Sequence, residues 1–209
     1  MKLTRTTIVF FLVLLCTAPA FAVERDIQGK LGTGYAYDPS KFGLDFSLQY
    51  NWVLDPYFAL GAESGFYWIY WSRKIASGET VGISSDIKAD TNAYMIPVIA
   101  NAQLRLPNLI KKIYVMPYVT VGLGYSFMMI HYSEPDIAAS EYDGESVTKF
   151  FKGFTWQLIA GAGYQPEGSN VEFIGELGYR HAALKTGTTE IDMSGLVIRL
   201  GVKYPLGNK

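Results

Sequence analysis

The sequence predicts an all-β fold, an eight-stranded antiparallel up-and-down transmembrane β-barrel. Long stretches of the chain alternate between apolar and polar side chains with the period of two that β-strands show. The clearest stretch has the roughly 9 to 11 residues of a tilted membrane strand. Aromatic residues, which make up 15% of the chain, cluster near the ends of these stretches, as in the interfacial girdles of membrane barrels.

Residues 1–22 are expected to be a secretory signal peptide. Lys2 and Arg5 precede an uncharged run over residues 8–15, and a small-residue cleavage site ends at Ala22. This run is far shorter than the roughly 20 apolar residues of a membrane-spanning helix. The single cysteine, Cys16, lies inside this segment, so no disulfide is expected. The barrel domain is then expected over residues 23–209 as one domain.

Four strands are expected in the first half of the barrel domain, over residues 27–37, 42–52, 57–72 and 91–106. The second is the most regular, because its apolar face is unbroken from Phe42 to Trp52 while the other face carries small and polar side chains. Turn sequences rich in Asp, Pro and Ser separate these strands. Pro97 lies within the fourth, where a proline cannot donate to the sheet, so we expect a β-bulge there.

Two more strands are expected over residues 113–132 and 150–165, and a final hairpin over residues 170–204. The connections differ in length. Short turns are expected at 53–56, 107–112 and 166–169, long polar loops at 73–90 and 133–149, and short outer connections at 38–41 and 185–190. Short periplasmic turns and longer outer loops are typical of outer-membrane barrels, so the long loops are expected outside the cell.

The final hairpin gives the strongest signal for strand register. If Glu176 lies opposite Arg199, then Glu172 lies opposite Lys203, and two opposite-charge pairs form at once. Residues 185–190 would be the connecting loop. In a soluble barrel the charged face would meet water, whereas in a membrane barrel the apolar face meets lipid and the charges point inward. The aromatic row at 42–52 favours the membrane barrel.

Charged side chains recur on the face that we expect to point into the barrel. Five are positive and four are negative, and an eight-stranded barrel is just wide enough for side chains to fill its interior. Buried charges need partners, so we expect a plug of ion pairs; the alternative is a narrow gated pore. The predicted lumen charge network comprises Lys30, Asp45, Glu63, Arg105, Glu172, Glu176, Arg180, Arg199 and Lys203.

The segments Pro117–Tyr125 and Gly175–Arg180 resemble strands of the small outer-membrane barrels of the outer membrane protein A, outer membrane protein X and opacity-protein type. The resemblance covers essentially the whole chain after residue 22. It implies localisation in the outer membrane and folding by the barrel-assembly machinery, which in this family often reads a final aromatic residue. Tyr204 is the candidate for that residue here.

Some barrels of this size modify lipid A, so the two histidines are candidate catalytic groups. A deacylase mechanism would need a serine two residues after His181, within hydrogen-bonding reach on the same strand face, but Ala183 stands there. His131 has Ser133 and Asp136 nearby, which is ordinary loop composition. We therefore expect no enzyme, no cofactor and no metal site, since two histidines lie in different strands and no mature cysteine remains.

The net charge of −1 and the absence of a basic patch exclude nucleic acid as an expected partner. The expected partners are outer-membrane lipid and lipopolysaccharide, the barrel-assembly machinery, and an extracellular ligand bound through the loops 73–90 and 133–149. The predicted role is structural or surface-interacting, in the manner of an adhesin. A small gated channel is the first alternative, and a lipid A-modifying enzyme is the second.

Overall fold

A computed structural model describes residues 24–75, 87–109, 114–133 and 146–207; the predicted signal peptide lies outside these residues. Apart from a short 3-10 turn at Pro107–Leu109, the regular structure described is all strand. No helix among the described residues has the length and apolar character needed to cross a membrane. The strands are β1 (Glu24–Ala36), β2 (Lys41–Val53), β3 (Phe58–Ile75), β4 (Ile87–Arg105), β5 (Met116–Ser133), β6 (Ser146–Tyr164), β7 (Glu172–Thr186), β8 (Thr189–Asp192) and β9 (Gly195–Pro205).

The strands form one closed antiparallel ring. Each pairs with its neighbour in the chain from β1 to β7, and β1 also pairs with β9, which pairs with β7. The short β8 pairs with the outer part of β7 and continues the line of β9 after a break at Met193 and Ser194. β8 and β9 together make one barrel strand, so the predicted eight-stranded barrel is confirmed.

The alternation in sequence becomes an alternation between the two sides of the barrel wall. On β2, Leu44 and Leu48 point outward and are 54% and 50% exposed, whereas Asp45 and Gln49 point inward and are 2% and 1% exposed. Successive strand side chains point to opposite faces, and a closed ring turns those faces into an outside and an inside. Apolar side chains thus cover the exterior, and the interior holds most of the buried polar groups.

The predicted register of the final hairpin is confirmed, but its predicted loop is wrong. Glu176 lies opposite Arg199 and Glu172 opposite Lys203. The pairing continues through residues 185–190 to Thr186 and Thr189, and the Lys185 and Glu190 side chains form an ion pair of 2.8 Å. A tight turn suffices because Gly187 adopts a φ of 56°, which glycine reaches without steric cost.

The ends of the strands also differ from the predicted bounds. β3 and β4 remain paired as far as Ile75 and Ile87, and β5 and β6 as far as Ser133 and Ser146. The predicted loops 73–90 and 133–149 are therefore too wide at both ends. Strand pairing persists there although the sequence turns polar, because the backbone hydrogen bonds of a ladder do not depend on side-chain polarity. The remainders, residues 76–86 and 134–145, lie outside the described residues.

The two ends of the barrel are named here by their connections. The loop end holds Ile75, Ile87, Ser133 and Ser146. The turn end holds residues 54–57 and 165–171.

The β-bulge predicted at Pro97 is absent from the β3–β4 ladder. Pairing stops at Ser64–Val98 and resumes at Tyr67–Met95 with the same register. The proline therefore interrupts the ladder locally without inserting an extra residue. A missing N–H removes a hydrogen bond but does not require the partner strand to shift.

Gly195 stands where β9 begins its pairing with β1. A Cβ on this residue would lie 1.5 Å from the Tyr35 carbonyl oxygen, so we expect Gly195→Ala to lower the free energy of unfolding by about 1 to 3 kcal/mol, as overpacking does. The matched control is Gly29→Ala, whose Cβ would meet its nearest atom, on Leu48, at 3.7 Å. Urea unfolding in lipid vesicles measures both, and equal effects would show that the seam tolerates a side chain at residue 195.

Candidate functional site

All nine charged residues of the predicted network lie on the interior face and are buried. Their residue exposures range from 1% for Arg199 to 8% for Glu172. They lie in two groups at different heights. Six form what we call the central ion cluster: Lys30, Asp45, Glu63, Glu176, Arg180 and Arg199.

Arg199 is the hub of the central ion cluster. Its Nη1 lies 2.6 Å from Glu63 Oε1, and its Nη2 lies 2.7 Å from Glu176 Oε2. The Arg199 Nε also donates to Glu176 Oε2, at 2.9 Å. A planar guanidinium can serve two carboxylates in this way because its donors point in fixed directions. Arg199 thereby links β3 with β7 across the barrel from its own place on β9.

The other two cations complete the cluster. Arg180 Nη1 lies 2.8 Å from Asp45 Oδ2, and Lys30 Nζ lies 3.0 Å from Glu176 Oε1. The central ion cluster thus contains three formal positive charges and three formal negative charges. Neutral amides satisfy further lone pairs, because Asn101 and Gln157 both donate to Glu63 Oε2, at 3.0 and 3.1 Å. A buried set of charges is tolerated only when it is paired and hydrogen-bonded in this manner.

Two more ion pairs lie nearer the turn end. Lys203 pairs with Glu172, and Arg105 pairs with Asp26, whose Oδ2 lies 2.7 Å from the Arg105 Nη2. Asp26 was not among the predicted residues, because the first strand was expected to begin at residue 27. Its parity matches Lys30 on the same strand, so extending the alternation toward the N-terminus would have found it. With Asp26 included, the interior charges of the residues that the structure describes balance at five of each sign.

The half of the interior nearest the loop end is filled by apolar side chains. We call this set the apolar cluster. The plug of ion pairs predicted from the sequence therefore accounts for only part of the interior. All members of the apolar cluster are at most 4% exposed. They are Ala36, Tyr67, Ile69, Ala93, Met95, Met128, Phe151, Ala182, Leu184 and Met193.

Tyr67 lies where the apolar cluster meets the central ion cluster. Its Oη donates to the Gly34 carbonyl at 3.0 Å, and a Cβ on Gly43 would come within 2.8 Å of the Tyr67 ring. The ring therefore lies against bare backbone of β1 and β2. A hollow of about 10 Å³ between Tyr67, Asp45 and Arg180 holds at most about one water molecule.

His181 contacts a serine that sequence reasoning missed. The Ser194 Oγ lies 2.8 Å from the His181 Nδ1, and the register that pairs Glu176 with Arg199 also places Ser194 opposite His181. Ser194 is 1% exposed, and its Oγ also accepts a hydrogen bond from the Ala182 N–H at 3.1 Å. A buried hydroxyl in this position bridges the break between β8 and β9.

The other histidine has an ordinary partner. His131 Nδ1 lies 3.1 Å from Thr148 Oγ1 on the neighbouring strand. Asp136 and the side chain of Ser133, which the sequence places near His131, lie outside what the structure describes. No grouping of three or more potential metal ligands occurs within the described ranges.

The sequence was compared with known families and proteins. The profile of the outer membrane protein beta-barrel domain family matches residues 8–208. The chain belongs to this family. A search of curated proteins finds no significant relative.

Solved structures of outer-membrane barrels share the fold. Neisserial surface protein A is 14% identical with a TM-score of 0.50, over 87% of this chain and 95% of that one. A major outer membrane protein of Thermus thermophilus is 13% identical with a TM-score of 0.54, over 87% and 99%. OprG of Pseudomonas aeruginosa is 12% identical with a TM-score of 0.52, over 90% and 98%. At these identities the similarity concerns the fold, and the family places the chain in the outer membrane.

In an outer-membrane barrel the apolar exterior contacts lipid, and aromatic pairs mark both ends of that surface. Tyr50 and Trp52 lie at the turn end with ring centroids 5.1 Å apart, and Phe66 and Tyr94 lie toward the loop end at 5.9 Å. Amphipathic rings prefer the boundary between hydrocarbon and headgroups.

Proposed function

We propose that this outer-membrane barrel is closed to solutes and has a structural or surface-interaction role, of the adhesin-like kind, without catalysis. The observation that carries the proposal is the filling of the interior by two layers. The central ion cluster, with three cations paired to three carboxylates, fills the middle, and the apolar cluster fills the half nearest the loop end. An interior committed to packing leaves the loop-end surface as the part that meets partners.

Three further parts of the proposal concern partners. Residues 73–90 and 133–149, whose strand-paired ends extend the barrel wall, are proposed to bind an extracellular ligand. Lipopolysaccharide is proposed as the lipid neighbour of the loop end. The barrel-assembly machinery is proposed to insert the chain, since a barrel exposes unpaired strand edges until it closes.

Conductance in planar bilayers tests whether the barrel is closed. We expect the purified barrel to give no steady current steps, because buried side chains pack the interior in both layers. The double variant Met128→Ala, Phe151→Ala thins only the apolar cluster and should also stay closed, since the central ion cluster lies beneath it. Steady steps from the unmodified barrel would favour the gated channel. Steps from the double variant alone would make the apolar cluster the gate.

Mass spectrometry of lipid A from cells with and without the protein tests the absence of catalysis. Identical acyl composition is expected because the Ser194 hydroxyl is buried beside His181. A lost or gained acyl chain that depends on the protein would make it a lipid-modifying enzyme.

A further inference from the structure

Two lysines lie directly opposite each other on the lipid-facing surface. Lys152 of β6 and Lys185 of β7 are Cα partners, and both side chains are exposed on the outer side of the wall. Like charges in directly opposite positions destabilise a sheet. The arrangement is therefore unfavourable without anions close to the two lysines.

The two lysines differ in their protein partners. Lys185 Nζ lies 2.8 Å from Glu190 Oε2, whereas no carboxylate of the described residues forms an ion pair with Lys152. Each ammonium carries three donors, and the carboxylate engages only part of those of Lys185. The pair keeps a net positive charge and several free N–H donors.

The depth of the pair in the membrane follows from the outward row of β6. From Phe154 through Trp156 and Leu158 to Tyr164 this row carries no charged side chain, and its length matches the roughly 9 to 11 residues of a membrane strand. Lys152 is the next outward residue toward the loop end. It therefore stands where hydrocarbon gives way to lipid headgroups, on the side of the longer loops, which face outside in such barrels.

Two hollows on the lipid-facing surface share both lysines. One has a volume of about 790 Å³ and is walled by apolar side chains that include Tyr94, Ile96, Phe127, Met129 and Phe150. The other has a volume of about 550 Å³ and is lined by His181, Phe154 and Glu190 as well as the lysines. A ligand that fits both would combine an anionic head with several hydrocarbon chains.

We propose that this surface binds the phosphorylated, multiply acylated glycolipid of the outer leaflet, lipid A. A phosphate lies between Lys152 and Lys185, and acyl chains occupy the hollows. The anion relieves the repulsion between the lysines, and hollows on two sides of one cationic pair suit a lipid with more chains than a phospholipid has. The inference rests on the proposal that lipopolysaccharide is the lipid neighbour of the loop end, and it names the residues that bind it. A barrel can be closed with or without a bound glycolipid, so loss of lipid A binding would leave the closed-barrel proposal standing.

Native mass spectrometry of the folded barrel from nanodiscs of phosphatidylcholine with bisphosphorylated lipid A tests the site. The unmodified barrel should retain one lipid A, and the variant Lys152→Gln, Lys185→Gln should bind it roughly 30-fold more weakly, since each lysine near a membrane surface contributes about 1 kcal/mol. Lys41→Gln is the matched control, because Lys41 is an exposed loop-end lysine on β2, across the barrel from β6. Equal retention by the unmodified barrel and the double variant would overturn the proposal.

A second arm uses the unmodified barrel alone and so does not depend on how the variants fold. Lipid A stripped of its phosphates should be lost from the barrel, and phosphatidylglycerol in excess should fail to displace bisphosphorylated lipid A. Retention of the dephosphorylated lipid would overturn the role of the lysines. Displacement by phosphatidylglycerol would overturn the assignment to a glycolipid.

Discussion

Arg199→Gln is expected to lower the free energy of unfolding by about 3 to 5 kcal/mol, the usual cost of breaking a buried ion pair from one side. The substitution removes the group that joins Glu63 to Glu176 at 2.6 and 2.7 Å. Three carboxylates of the central ion cluster would then face only Lys30 and Arg180, in an interior too crowded to hydrate the excess charge. Urea unfolding of the barrel in lipid vesicles measures the loss.

A double-mutant cycle separates the pair from its surroundings. Glu176→Gln should also be costly, and the variant with both glutamines should recover part of the combined loss because the central ion cluster then again holds equal numbers of cations and carboxylates. Arg25→Gln is the control, since Arg25 is exposed at the start of β1 and such surface changes stay within about 0.5 kcal/mol. A coupling energy near zero would mean that the contact between Glu176 and Arg199 does not stabilise the fold.

Leu48→Arg is expected to cost about 2 to 4 kcal/mol, the range for a cation at the bilayer midplane of a membrane barrel. Leu48 points outward from the middle of β2 and is 50% exposed there. Its surroundings are lipid, which offers no counter-charge and no water to a guanidinium. Unfolding from vesicles gives the cost, with Leu48→Ala as the reference for the lost side chain.

The same substitution at the end of the same strand is the matched control. Phe42 is 69% exposed at the loop end of β2, where the cost of an arginine falls to about 0 to 1 kcal/mol. Phe42→Ala again corrects for the lost ring, which packs against Tyr35 with centroids 5.0 Å apart. Equal costs at residues 42 and 48 would contradict the assignment of Leu48 to the hydrocarbon core.

The strands, the direction of their side chains and the register of the final hairpin could be predicted from the sequence, because polar and apolar side chains alternate in those stretches. Where the side chains on both faces of a strand are apolar, their types do not show which of them point inward. Residues 66–71, Phe-Tyr-Trp-Ile-Tyr-Trp, show this directly, since nothing in their type says that Tyr67 and Ile69 point inward. In this strand the inward members of the apolar cluster can be found only by continuing the parity of Glu63 past residue 65.

The contacts within the central ion cluster lay beyond sequence reasoning for a different reason. Glu176 and Arg199 lie on adjacent strands, so the strand register is enough to predict their contact. Arg199 reaches Glu63 across the interior, and such a contact depends on the barrel diameter and on side-chain rotamers. Sequence alternation fixes the direction of a side chain but not its partner on a strand that is not its neighbour.

The ladder between β1 and β9 has a kinetic consequence. It pairs Asp26 with Pro205 and so joins the first strand to the last. A ladder of such long sequence separation forms slowly, because loop-closure entropy is lost before contacts are gained. Until this ladder forms, two open edges remain and Lys30 on β1 stands apart from Glu176 on β7, which it meets at 3.0 Å in the closed barrel. Closure of the barrel thus also brings Lys30 to Glu176, so an open-edged intermediate lacks this ion pair as well as the backbone hydrogen bonds of the ladder.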